Sequence, residues 1–134
     1  MIEYLKSLLS DDYMPHGHCY LWKPEILWLH AISDGITFLS YMAIPIFLVY
    51  IVYKSKYKVP YPSLFILFSV FILACGATHL MAIVNIWKSE YLVSGIIKAL
   101  TAMASLLTAI ASIPVLKKIV KIVETEDIND KEIK

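Results

Sequence analysis

Arginine is absent from this 134-residue chain, and all twelve basic residues are lysine. The bidentate phosphate readers of nucleic-acid-binding proteins are therefore missing. A formal net charge of +1 offers no other route to a polyanion, so no nucleic-acid partner is expected. Charge of either sign is scarce, at 17% of residues. Cysteine occurs only as Cys19 and Cys75, in unlike surroundings, which argues against a disulfide framework. The opening MIEYLKSLLS lacks a basic start, a long apolar stretch and a small-residue cleavage site. No cleaved signal peptide is expected.

What is present is apolar: 59% of residues, with a mean hydropathy of +0.68. Charges and prolines cut the chain into three apolar runs. Residues 26–53 contain Asp34 as their only formal charge, and residues 62–87 contain none apart from a protonatable His79. Residues 92–116 contain only Lys98, and this third span is drawn to 118. Each run is long enough to cross ~30 Å of hydrocarbon as a helix, and none has the polar face that a soluble bundle needs. The expected fold is an all-α membrane protein with three transmembrane helices, at about 26–53, 62–87 and 92–118. Residues 1–25 would form an extracytoplasmic segment. Residues 119–134 turn strongly charged and read as a cytoplasmic helical extension or linker.

Lysines set the expected orientation. Lys54, Lys56 and Lys58 lie between spans one and two, and Lys117, Lys118 and Lys121 follow span three. By the positive-inside rule the first loop and the C-terminus face the cytoplasm and the N-terminus lies outside. Trp22, Trp28, Trp87 and Tyr91 then mark the outer boundary, and Tyr50, Tyr53, Tyr57 and Tyr61 the inner one.

Ionisable side chains inside a bilayer cost roughly 2.5–3.5 kcal/mol each and usually face one another or a cavity. Counted from the cytoplasmic ends of their spans, Asp34 lies ~28 Å up, His79 ~26 Å and Lys98 ~27 Å. Three polar residues on three helices are thus expected at one level. Cys75 lies one turn deeper than His79 and projects from the same face. A thiolate with an imidazole suits Cu(I) or Zn(II), and a dry site with so few donors favours low-coordinate Cu(I). The structural alternative makes Cys75 a small buried hydrophobe and gives His79 a backbone carbonyl as partner. Asp34 can hold His79 in one tautomer, ligate a metal directly, or pair with Lys98. Lys98 can instead snorkel to the interface.

Other residues complete the candidate site. Pro45 cannot donate to the Tyr41 carbonyl and is expected to kink or loosen span one. Phe68, Phe71 and Ile72 lie up to two turns below Cys75 and wall a candidate apolar pocket. In span three, Gly95, Ala99, Ala102, Ser105, Ala109 and Ser112 form a small-residue stripe that allows close helix approach.

Three blocks, ISDGITFLSYMAIP (32–45), FSVFILACGATHL (68–80) and KALTAMAS (98–105), carry a family likeness. The chain resembles the membrane-embedded ethylene-binding domain of ethylene receptors of plants and of bacterial sensor proteins, over about residues 24–118. The resemblance implies a Cu(I) cofactor on Cys75 and His79. It implies functional roles for Asp34, Tyr41, Ile44, Pro45, Phe71, Ile72 and Lys98. It also implies a homodimer in a cell membrane, here a bacterial inner membrane. The ligand would be ethylene or a similar small olefin, and the output a cytoplasmic kinase or other signalling domain. These residues contain no kinase motif, and no enzymatic activity is expected within them. One departure is PHGHCYLW (15–22), where Cys19 stands alone instead of as one of a cysteine pair. His30, four residues before Asp34, could join Asp34 in an arrangement different from the family's, while His16, His18 and Cys19 form a candidate second metal site or an ordered surface turn. That stretch supports an alternative function, a copper-handling or redox-sensing membrane protein using Cys75 and His79 with an outer loading site.

Overall fold

The computed structural model describes residues 1–8 and 13–132. Its elements are α1 (Ile2–Leu8), α2 (His16–Cys19), α3 (Pro24–Lys54), α4 (Pro62–Trp87) and α5 (Tyr91–Glu132). No strand occurs among the described residues. The three long helices have the length and hydropathy of membrane spans, and the protein is an all-α membrane protein. The long helices begin within two residues of the starts of the three apolar runs. The third helix differs at its end: it continues unbroken through the lysines to Glu132.

Proline starts two of the spans. Pro24 and Pro62 occupy first-turn positions, where a missing N–H costs nothing and the fixed φ already suits a helix. Between α3 and α4 the chain reverses through left-handed residues Lys56, Tyr57 and Tyr61, with φ between 51° and 59°. Only three residues, Lys88 to Glu90, separate α4 from α5, so those helices are antiparallel neighbours.

The helices form a row with α4 in the middle. It packs along both α3 and α5, while α3 and α5 hardly meet. At the α3–α4 seam, a β-carbon added at Gly76 would lie 3.1 Å from the Tyr41 Cβ. Glycine thus lets the two backbones approach closely here. At the α4–α5 seam, Ser94, Thr101 and Thr108 face inward at seven-residue intervals, and Ser94 and Thr108 are buried. The small-residue stripe of α5 lies mostly outside this contact: Gly95, Ala99, Ala102 and Ala109 are exposed, with Ser105 and Ser112 half-buried at its margin. The hydroxyls suit the buried positions. Thr101 and Thr108 bond carbonyls one turn back in their own helix, so they pack as compact residues with no unpaired polar group.

A short N-terminal turn closes one end of the row. Gly17 in α2 is buried, and a β-carbon there would lie 2.6 Å from the Trp22 ring and 2.8 Å from the Ile86 carbonyl oxygen. Ile86 is the centre of a small core with Leu27 and Ala31, against which Tyr20 packs. The Tyr91 hydroxyl donates to the Met14 carbonyl at 2.6 Å. Elsewhere the long helices bury little of their apolar surface, as expected of segments that use lipid as solvent.

The two glycine environments give a stability test. Gly76→Val is expected to force α3 and α4 apart and to lose roughly 1–3 kcal/mol through overpacking. Gly95→Ala, where nothing lies within 4 Å, is expected to leave stability unchanged or slightly raised. Thermal unfolding of the two variants in one detergent measures the contrast.

Candidate functional site

Asp34 and His79 meet across the α3–α4 seam. His79 Nδ1 lies 2.7 Å from Asp34 Oδ1, the only ion-pair geometry among the described residues. The two side chains are 34% and 23% exposed for His79 and Asp34, so neither is sealed within a single chain. Helix-depth arithmetic anticipates this meeting, because residues at one level on packed helices can touch.

Three proton arrangements satisfy the contact. An ionised Asp34 accepts from Nδ1–H of a neutral imidazole and leaves the Nε2 lone pair free; with an imidazolium it accepts the same bond while Nε2 also carries a proton. A neutral Asp34 donates to Nδ1 and leaves Nε2–H. Only the first gives the imidazole a donor atom for a metal or other electrophile.

The surrounding residues restrain the imidazole. The Tyr41 ring meets His79 edge-on, with centroids 5.6 Å apart and planes at 87°. Tyr41 is held against α4 by the close approach at Gly76. The Tyr41 carbonyl also lacks its ladder donor, because Pro45 in the next turn has no N–H. Pro45 is buried and α3 continues through it. Cys75 is half-buried on the same helix as His79, one turn away, and carries a free thiol. Thr78 bonds back to the Cys75 carbonyl at 2.7 Å, which satisfies its hydroxyl inside the helix.

Other candidate residues are placed differently. Lys98 is exposed on α5 and takes no part in the Asp34–His79 pair. Ile44 is exposed, and Phe71 is half-buried. Phe68 and Ile72 line an apolar groove of about 630 Å³ that extends away from Cys75 toward the lysine-bearing ends of the helices. His30, one turn before Asp34, is stacked on Tyr20 with centroids 4.8 Å apart. At the N-terminal turn, His16 packs on Tyr91 and His18 on Trp22, while Cys19 is exposed. Among the described residues no group of three His, Cys, Asp or Glu side chains is arranged to hold a metal ion.

Thr101 is a site-adjacent residue that the sequence reading passed over. Its hydroxyl lies 3.1 Å from the Ala74 carbonyl on α4 and 2.8 Å from the Ile97 carbonyl on its own helix. It thus ties α5 to α4 beside Cys75. The available signal was its seven-residue spacing from Ser94 and Thr108.

Membrane-length helices thus carry a carboxylate–imidazole pair between them and a thiol one turn away, more polar chemistry than a plain anchor requires. The family model for the Ethylene receptor 1-like, N-terminal domain matches residues 25–122, and the chain belongs to that family. The match takes in all three spans and begins after His16, His18 and Cys19. No solved structure matches the chain.

The tautomer is open to direct test. Imidazole ¹⁵N chemical shifts of the wild-type protein are expected to show His79 protonated at Nδ1. Asp34→Ala is expected to yield a mixture of tautomers, and Asp34→Asn, which retains an acceptor, to remain closer to wild type.

Proposed function

We propose that this domain binds ethylene, or a similar small olefin, at an intramembrane Cu(I) site held by Cys75 and His79. The observation that carries the reading is the His79–Asp34 contact at 2.7 Å, one helical turn from a free thiol. The donor set fits the ion. Zinc would call for four ligands, and the chain assembles no group of even three among the described residues. A soft thiolate and one imidazole suit a soft monovalent ion of low coordination.

The ligand chemistry supports the same ion. Ethylene has no charge and no hydrogen-bonding group. Dispersion alone is inadequate, because binding is capped near ~1.5 kcal/mol per heavy atom. Bound Cu(I) supplies acceptance of π electrons and back-donation from filled d orbitals. The chain's own residues do the rest. Asp34 fixes the imidazole with Nε2 unprotonated. Tyr41 restrains the ring from its edge. The groove that begins at Ile72 and Phe68 offers an apolar path from lipid, where such gases concentrate.

Under this reading the domain acts by binding and not by catalysis. It is the sensor portion of a homodimer in a cell membrane, with the bacterial inner membrane as the proposed setting. The N-terminus lies outside and α5 leads to a cytoplasmic kinase or signalling module. Pro45 weakens the helix beside Tyr41, and Thr101 connects the Cys75 region to α5. Ile44, Phe71 and Lys98 keep the roles the family implies, and exposure of Ile44 and Lys98 makes them available to lipid or to a second chain. The copper-handling alternative has less support, since His16 and His18 pack on separate aromatic partners.

The test is copper content and radiolabelled ethylene binding, measured together on anaerobically purified protein. Wild type is expected to hold copper and bind ethylene saturably. Cys75→Ala and His79→Ala are expected to lose both. Asp34→Asn is expected to weaken copper affinity by roughly 10–100-fold, the usual effect of removing a ligand-orienting group. Full binding in Cys75→Ala would refute the assignment, and copper without ethylene would favour metal handling.

A further inference from the structure

The apolar groove and the lysines at its mouth make a second site, which shares only its upper end at Phe68 and Ile72 with the proposed path for the olefin. The groove is walled by α4 and α5, with Leu48 of α3 at one side. Its lining, which includes Tyr61, Phe65, Ile72, Val115 and Ile122, consists only of apolar and aromatic side chains. About 630 Å³ is a volume typical of small-ligand clefts, which run from roughly 300 to 1,000 Å³. From Tyr61 to Ile72 the groove follows α4 for about 16 Å. That is close to half of a ~30 Å hydrocarbon core, the depth of one leaflet.

Charge appears only where a headgroup would sit. Lys118 Nζ lies over the Tyr61 ring, 5.5 Å from its centroid, which holds an ammonium at the groove's mouth. A shallow depression lined by Lys118, Lys121, Ile122 and Thr125 adjoins the groove, sharing Ile122 with it. Lys118 and Lys121 are exposed, and no ion pair occupies either among the described residues. Glu124, one turn beyond Lys121, is the nearest described acidic side chain along α5 and makes no ion pair with it.

We propose that this groove is a binding site for one anionic membrane phospholipid, with an acyl chain along Phe65 and Ile72 and its phosphate on Lys118 and Lys121. An apolar slot one leaflet deep that ends in two ammonium groups without an ion pair among the described residues matches an amphiphile with a negative head. A second copy of this chain would bring the same lysines to the mouth and would meet like charge there.

Native mass spectrometry of the full chain, delipidated in detergent, tests the site. The probes are dioleoyl phosphatidylglycerol and dioleoyl phosphatidylcholine. Phosphatidylglycerol is expected to bind about tenfold more tightly. The double variant Lys118→Gln/Lys121→Gln is expected to lose that preference while still binding phosphatidylcholine. Ile122→Trp, which fills the groove, is expected to weaken both lipids. Circular dichroism checks that each variant keeps its helix content, and the lysine variant alters only exposed side chains. Equal affinity for the two lipids would overturn the proposal, as would a preference that survives the lysine double variant. Displacement of phosphatidylglycerol by glycerol phosphate alone would show a phosphate site without a groove, which also overturns it. A lipid-free dimer that blocks lipid addition would assign the face to a second copy instead.

Discussion

An acid and an imidazole embedded in apolar helices must find each other, because lipid offers no other partner. The Asp34–His79 contact meets that requirement at 2.7 Å, and much of the structure is arranged around it. It fixes the register of α3 against α4, since a slide of one turn would separate the two groups by about 5.4 Å. It requires close backbones, which Gly76 permits beside Tyr41. It also sets the depth of Cys75, one turn along the same helix.

Hydroxyl satisfaction organises much of the remaining seams in the same way, whereas the buried Asn85 Oδ1 on α4 has no hydrogen-bond partner. Every threonine and serine bonded within the long helices returns its hydroxyl to a carbonyl three or four residues earlier, as in Ser69, Thr78, Ser105 and Thr108. Thr101 alone among them also reaches a neighbouring helix, at the Ala74 carbonyl. Interhelical hydrogen bonds of this kind contribute about 0.6 kcal/mol on average in membrane helices. The contribution of Thr101 is therefore chiefly positional: it holds α5 against the one segment of α4 that carries the thiol.

Much of this was legible in the sequence. Three apolar runs bounded by lysine and proline give the spans directly. Depth arithmetic brought Asp34 and His79 to one level, and the structure joins them. Lys98 was assigned the same level and is exposed, because depth says nothing about which way a helix face points. The α4–α5 seam is held by compact hydroxyl residues at 94, 101 and 108, while Gly95 and Ala102 of the small-residue stripe are exposed. The central position of α4 was not legible either. Short loops on both sides make α3 and α5 neighbours of α4, but they do not prevent α3 and α5 from packing on each other. The groove at the lysine end depends on that open arrangement, so no local pattern could announce it.

The proposed sensing reading places a constraint on how occupancy can be relayed. α3 and α5 share almost no contact. A change at Tyr41 and Pro45 must therefore pass through α4 before it reaches α5. Along α4, Cys75 and Ala74 are adjacent, and the Ala74 carbonyl accepts from Thr101. The ligand site and the link to α5 thus share one helical turn. Below that turn Thr108 stays buried at the α4–α5 seam, and from Val115 onward the two helices wall the groove, at whose mouth Lys118 meets Tyr61. If a lipid chain fills this groove, it becomes part of the mechanical connection between the site and the helix that leaves the membrane. The behaviour of α5 would then depend on the leaflet around it as well as on the ligand above it.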